Sequence, residues 1–252
     1  MKKIENFTFK NFEDRHQDTL IEFYWDETFM GFREKWDEKE EYLKYTVKIF
    51  ENFCENNYST EDFLEECSDI YEIDYNLNSS VTLKKEPFEK IASIIENLRN
   101  EASWNRIKGH FVENIVNFIF IKRFSMKYYI EPEVLYNNEI LVYRNEDVEQ
   151  KNFDILAHKK LELFILGEVK TSLATCVNRY DLKRKYKDQV KKIDDIENHL
   201  VSSRKNSIII PKVLKYYIVL NTIPYINIPS LQDYRIIQLR ELINIDFYES
   251  IS

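Results

Sequence analysis

Asp154, Glu168 and Lys170 are the residues whose types and spacing point to chemistry. They read D-x13-E-x-K across two consecutive apolar stretches, residues 153–158 (FDILAH) and 161–169 (LELFILGEV). Two carboxylates with a lysine beside them suit a hard divalent cation bound through oxygen. Such an ion lowers the pKa of a bound water and polarises a phosphoryl oxygen. The lysine can orient or deprotonate that water and screen the developing negative charge. The tripeptide alone means little. [DE]-x-K also occurs at Asp37–Lys39, Glu149–Lys151 and Asp181–Lys183, in polar surroundings where solvated charge is the natural account. Only Glu168 and Lys170 close an apolar strand, where charge is expensive unless it is paired or metal-bound.

The elements that must position these residues follow from the same stretch. Residues i and i+2 of a strand share a face, so Glu168 and Lys170 project together. Asp154 comes from the preceding strand. A two-residue turn at Lys159-Lys160 would pair Asp154 with residue 165 and put Glu168 on the other face. A shared face therefore requires an odd-length loop or a bulge, and Gly167 is where a bulge is expected.

Around this pair the spacing predicts further elements. Pro87 suits a helix start, and Phe88, Ile91, Ile94, Ile95 and Leu98 make one face. Residues 104–124 read as a helix apolar on much of its circumference, hence buried on several sides. Residues 128–136 and 139–143 read as strands, with Asn137-Asn138 as the turn. Residues 180–200 read as a polar amphipathic helix, 215–220 as a central strand and 234–239 as a last strand. The order from 104 onward is helix, strands, helix, strand, strand: an α/β mixed sheet with helices on its faces.

The N-terminal part differs. The 252-residue chain carries a net charge of −8. Residues 1–80 hold 9 Lys/Arg against 21 Asp/Glu, a net −12, and the remainder is +4. This asymmetry suggests two parts with different partners. Residues 17–58 repeat apolar positions at helical spacing (Leu20, Phe23, Tyr24, Trp36, Tyr42, Leu43, Val47, Ile49, Phe50), and Ser59-Thr60-Glu61-Asp62 looks like a helix start. Residues 73–86 break the pattern. The expected domains are an acidic helical module, 1–80, and an α/β domain, 87–252. No apolar run reaches the roughly 20 residues of a membrane span, and the N-terminus lacks an apolar signal region. Cys54, Cys67 and Cys176 have no zinc-like spacing, and the plain reading is reduced thiols in the cytoplasm. With 3 glycines in the chain, a glycine-rich phosphate loop is nearly excluded.

At Asp154, Glu168 and Lys170 the chain resembles the PD-(D/E)xK nuclease superfamily, the restriction-endonuclease-like fold. The resemblance covers about residues 104–240 in element order and only a few residues in identity. It implies a Mg²⁺- or Mn²⁺-dependent endonuclease that hydrolyses phosphodiester bonds, with DNA favoured over RNA and a restriction or anti-invader role. It implies Asp154 and Glu168 as metal ligands, the Val169 carbonyl as a further ligand and Lys170 as the catalytic lysine. A helix before the sheet often supplies another acid in that family. Glu113 is the one acid of the apolar helix, and Gly109, one turn earlier, leaves room beside it. Some branches add a glutamine from the following helix, for which Gln189 is the match. Phe153 stands where the family has proline, and Ile193 stands where one branch has tyrosine after Gln189.

Each residue also has a plainer reading. Asp154 and Glu168 could be satisfied by neighbouring cations, and Glu113 could pair with Lys122 or Arg123. Gln189 could be a surface residue. Lys183, Arg184, Lys185 and Lys187, with Lys191 and Lys192, form a solvated face or track phosphates. Thr171 and Ser172 could contact a phosphate or merely end a strand. His16, His110, His158 and His199 form no ligand pattern; His158, near the hairpin tip, is expected to face solvent. The competing function classes are an inert nucleic-acid-binding or scaffold protein of the same fold, and an RNA-directed endonuclease. A homodimer would suit double-strand cleavage, and the acidic module would restrain access to the site or recruit a protein partner.

Overall fold

The computed structural model describes residues 3–11, 36–53, 59–77, 85–100, 104–141, 153–203, 210–221 and 227–244. His16, Leu20, Phe23, Tyr24 and Cys54, which entered the sequence reading, lie outside them. In chain order the elements are a 3₁₀ turn Ile4–Asn6, β1 (Phe7–Asn11), α1 (Trp36–Asn52), α2 (Thr60–Leu77), α3 (Lys85–Arg99), α4 (Trp104–Phe118) and a π turn Ile119–Arg123. There follow β2 (Lys127–Ile130), β3 (Pro132–Tyr136), β4 (Glu139–Ile140), β5 (Ile155–Lys159), β6 (Leu163–Ser172), β7 (Val177–Asn178) and β8 (Asp181–Leu182). The chain then forms α5 (Arg184–Val201), β9 (Lys212–Asn221), a 3₁₀ turn Pro229–Leu231, β10 (Arg235–Gln238) and α6 (Leu239–Asn244). These divide into a sheet unit, residues 1–15 and 116–238, and a helical unit, residues 16–115 and 239–252. The expected boundary between 80 and 87 falls inside the helical unit.

In the sheet unit a five-stranded sheet runs in the order β10-β9-β6-β5-β2. β10, β9 and β6 are parallel, while β5 and β2 run antiparallel to their neighbours, so the sheet is mixed. β6 is central and buried from Phe164 to Val169, which explains its nearly continuous apolar sequence. α5 packs on β6 and β9. Val190, Ile193, Ile196 and Leu200 recur at helical spacing on α5 and meet Phe164, Leu166, Tyr217 and Val219 in one core. Each of these fully buried side chains contributes about 1.5–3 kcal/mol.

The N-terminus belongs to the sheet unit. β1 pairs antiparallel with β3, and Ile4, Phe7 and Phe9 are buried in the same core. Three boundaries depart from the sequence reading. Residues 128–136 form two strands, because Glu131 adopts φ 44 just before Pro132 and sends β3 into a separate sheet with β1 and β4. The helix expected from 180 starts at Arg184, because 177–182 form the β7–β8 hairpin. The last strand ends at Gln238, and Leu239 starts α6.

The helical unit buries aromatic and aliphatic side chains together. Phe88 meets Tyr45 and Tyr71 at ring-centroid distances of 5.3 and 5.0 Å, and Phe50 meets Phe111 at 5.1 Å. Ser59 caps α2 as expected: its Oγ accepts the Asp62 N–H at 3.2 Å and donates to the Asp62 carboxylate at 2.6 Å. The buried Arg99–Glu96 ion pair at 3.0 Å is completed by the Thr60 hydroxyl, 2.6 Å from Glu96. Among the described residues no helix is long and apolar enough to cross a membrane. Cys67 and Cys176 are buried free thiols.

Candidate active site

The β5–β6 hairpin sets the site. Lys160 and Leu161 both have positive φ, 53 and 57, and the Glu162 N–H donates to the Lys159 carbonyl at 3.0 Å. That is a primed turn, whose twist suits a hairpin. Glu162 is left over, because Lys159 pairs with Leu163. The loop is therefore three residues long, the odd length that a shared face requires. Ile155 pairs with Gly167, so one further step of the same register sets Asp154 opposite Glu168. Opposed residues of an antiparallel pair share a face.

Gly167 takes part in the regular ladder to both neighbours, so the bulge expected there is absent. Its role is close approach. A Cβ at Gly167 would stand 2.2 Å from the Tyr216 carbonyl oxygen of β9. Only glycine lets the two backbones lie this near. Gly109, by contrast, faces open space, and a Cβ there meets nothing within 4 Å.

At the end of the buried strand the three side chains converge. Asp154 Oδ2 accepts the Val169 N–H at 2.8 Å and the Lys170 ammonium at 2.5 Å. Lys170 also forms an ion pair with Glu168 Oε2. Glu168 is fully buried, and its Oε1 has no hydrogen-bond partner among the described residues. Burial pushes the Glu168 carboxyl well above its ordinary range, the Asp154 carboxylate adds to this, and Lys170 opposes it. Burial works against charge on Lys170, yet the Asp154 and Glu168 carboxylates hold its pKa above the usual lysine range. Fully ionised, the trio carries one surplus negative charge in a buried place.

α5 and β9 supply further neighbours: Tyr186 and Tyr217, which the sequence reading did not single out, and Lys192, which it read only as part of a basic face. Lys170 Nζ lies 6.0 Å from the centre of the Tyr186 ring. Lys192 is buried on α5 rather than solvated. Burial lowers its pKa, and the Glu168 and Asp188 carboxylates counteract this. Tyr217 opposes Glu168 in register and is fully buried. Burial raises its hydroxyl pKa, and the Cys176 thiol, Glu168 and Asp154 add to it. The helical spacing 186, 189/190, 193 marks this face of α5, so Tyr186 was accessible from periodicity. Lys192 was hidden in a run of like residues.

The other expected site residues have these surroundings. Glu113 lies in the helical unit, 3.5 Å from His110 Nδ1. Among the described residues no group of three or more His, Cys, Asp or Glu comes together that could hold a metal ion. Gln189 is half-buried on α5, one turn beyond Tyr186. Thr171 alternates to the face opposite Lys170. The Ser172 carbonyl accepts the Thr175 hydroxyl at 2.8 Å and the Cys176 thiol at 3.4 Å. Lys183 donates to the Thr175 carbonyl at 2.6 Å and Lys187 pairs with Asp181 at 2.6 Å, while Arg184 and Lys185 are exposed. His158 is buried, not solvent-facing, among Phe9, Tyr129 and Phe164. β1, which covers that side of the hairpin, was not read from the sequence. A cavity of about 320 Å³ beside α5, lined among others by Lys187, Lys191, Ser230 and Tyr234, contains none of the trio.

The donor set fits a hard divalent cation in one respect and falls short in another. Two opposed carboxylates and an unpartnered buried oxygen suit Mg²⁺ or Mn²⁺. The remaining positions would fall to backbone carbonyl, water or substrate oxygen. No protein-family model, no curated protein and no solved structure matches the chain.

Proposed function

We propose that the protein is a metal-dependent endonuclease of the PD-(D/E)xK type, with a restriction-endonuclease-like sheet unit and DNA favoured as substrate. The observation that carries this reading is the opposition of Asp154 and Glu168 across one ladder, with Lys170 between them at a buried strand end. A structural ion pair would not need a second carboxylate with an orphaned oxygen, since a lone buried negative charge is costly.

In this reading Asp154 and Glu168 hold Mg²⁺ or Mn²⁺, with the Val169 carbonyl available beside them. The bound ion supplies Lewis-acid polarisation of the phosphoryl oxygen and an acidified water. The Val169 N–H fixes the Asp154 carboxylate in place. Lys170 keeps its charge and turns it toward the negative charge that develops on the phosphoryl oxygens. Lys192 adds positive charge on the α5 side of Glu168. A nuclease of this kind suits a restriction or anti-invader role, by analogy of fold.

The test is cleavage of supercoiled plasmid, linear duplex, single-stranded DNA and structured RNA with Mg²⁺ or Mn²⁺. Cutting that stops with EDTA and falls at least about 100-fold in Lys170→Ala supports the reading. Cutting confined to RNA would replace DNA by RNA as substrate. No cutting, with Mn²⁺ binding no better than in Asp154→Ala, would leave an inert protein of the same fold.

A further inference from the structure

Between the strand that carries Lys170 and the helix that carries Lys192, the chain makes the β7–β8 hairpin. Val177 pairs with Leu182 and Asn178 with Asp181, so Arg179 and Tyr180 alone form the tip. Arg179 has φ 59. Two-residue hairpins with a left-handed first position normally place glycine there, and a side chain in that region costs stability. Such local strain is found where a loop does work as well as where a tight turn demands it.

The hairpin is firmly mounted. Asp181 Oδ1 accepts the N–H groups of Leu182 and Ser230 at 2.9 and 3.0 Å, and its Oδ2 pairs with Lys187 at 2.6 Å. Burial pushes the Asp181 carboxyl up, and these contacts together outweigh it and hold the group well below the usual range. The Lys183 N–H bonds the Cys176 carbonyl at 2.8 Å, and Leu182 and Cys176 are buried. The Cys176 thiol adjoins Tyr217, the residue that opposes Glu168. The base of the hairpin is thus continuous with the wall of the trio.

Its tip carries the opposite character. Tyr180 is 79% exposed, more than any other large exposed apolar side chain among the described residues. Arg179, beside it in the chain, and Lys183, Arg184 and Lys185, three to five residues on, are exposed as well, with Lys183 reaching the Thr175 carbonyl and Lys185 lying over the Tyr186 ring. The one nearby acid of the hairpin, Asp181, is already paired with Lys187. An outstretched aromatic ring on a rigid, cationic mount suits a polyanion that offers an open π-face.

We propose that the Arg179–Tyr180 tip is a stacking finger for an unpaired base of a nucleic acid, beside the phosphodiester held at Asp154, Glu168 and Lys170. This deepens the endonuclease reading and rests on it. The ring takes an unpaired base because bases inside a duplex already cover each other's faces, and exposing one costs unstacking free energy. The surrounding cations hold the backbone without regard to sequence, and stacking on Tyr180 tolerates any base. The favoured substrate is therefore DNA with an unpaired segment: an overhang, a flap or a single-strand junction.

Fluorescence anisotropy with the full chain in EDTA, where no cutting occurs, tests this. The probes are a dye-labelled blunt duplex and the same duplex with a five-nucleotide single-stranded overhang. The wild-type protein is expected to prefer the overhang duplex. Tyr180→Ala should weaken binding to that probe about tenfold and leave blunt-duplex binding unchanged. Tyr180→Phe, which keeps the ring, should bind as wild type. An unchanged melting temperature of Tyr180→Ala shows that the fold is intact. Equal binding of the overhang probe by wild type and Tyr180→Ala overturns the finger and leaves the endonuclease reading standing. Binding of neither probe also overturns the finger. The Lys170→Ala cleavage comparison addresses the endonuclease reading alone, because it does not involve the hairpin.

Discussion

At the residue scale, the surplus charge at Glu168 has measurable consequences. A carboxyl whose pKa is raised by folding contributes stability that is lost as pH rises through that pKa. Metal-free Glu168→Gln should therefore melt higher than wild type at pH 8, and the gap should close toward pH 4. Added Mn²⁺ should raise the melting temperature of wild type, since a ligand bound by the fold stabilises it by mass action, and should not raise that of Glu168→Gln. Differential scanning fluorimetry with and without Mn²⁺ checks both halves. His158 gives the opposite sign. Burial lowers its pKa to about 4, and Lys127 adds to this. A histidine kept neutral by the fold contributes stability that is present above its unfolded value and lost as pH falls through the folded one. Wild type should lose stability between pH 6.5 and 4, by at most about 3 kcal/mol. His158→Phe should flatten that part of a denaturation-versus-pH profile, because Phe keeps the packing and cannot charge.

At the element scale the β5–β6 hairpin carries the geometry. Gly167 allows β6 and β9 to approach where a methyl group would overlap the Tyr216 carbonyl. Gly167→Ala forces the strands apart one residue before Glu168. It should cost about 1–3 kcal/mol by the usual measure of overpacking, and it should lower any metal-dependent cleavage more than its stability loss explains. Urea melts beside cleavage rates separate the two effects. The turn itself is strained in the other direction. Lys160 is exposed and left-handed, so Lys160→Gly should stabilise the fold by up to about 1 kcal/mol without changing the register. Much of this element was legible. The need for an odd loop followed from strand parity and the positions of Asp154 and Glu168. The device that meets it was not, because a primed turn with Lys160 and Leu161 in place of glycine or asparagine leaves no sequence signature.

At the scale of the whole molecule, the units are discontinuous in sequence. Ile4, Phe7 and Phe9 are buried in the sheet unit although they open the chain. Removal of residues 1–11 takes away β1 and three buried side chains. The loss is on the order of 5 kcal/mol, comparable with the whole stability of many domains. Circular dichroism melts of the shortened chain should show a sheet unit that is largely unfolded at 37 °C. The net charge changes sign near residue 80, whereas the chain passes from one compact unit to the other at 15/16, 115/116 and 238/239. Domain limits instead follow buried contacts, and β1 makes its contacts with β3, more than a hundred residues away in sequence.

The amino-acid sequence by itself determined the local matters. It specified the helical face of α5, the cap at Ser59, the buried character of β6 and the pairing of an acid with an acid-x-lysine at a strand end. Each depends on residues a few positions apart, and periodicity records such relations directly. Only the tertiary structure decided which distant residues meet. It buried His158 under Phe9, buried Lys192 on α5 and stood Tyr180 out on its hairpin. A buried lysine and a solvated one have the same letter. What separates them is the low-dielectric surroundings that the packed sheet and helix create together, and that environment exists only once the chain has folded.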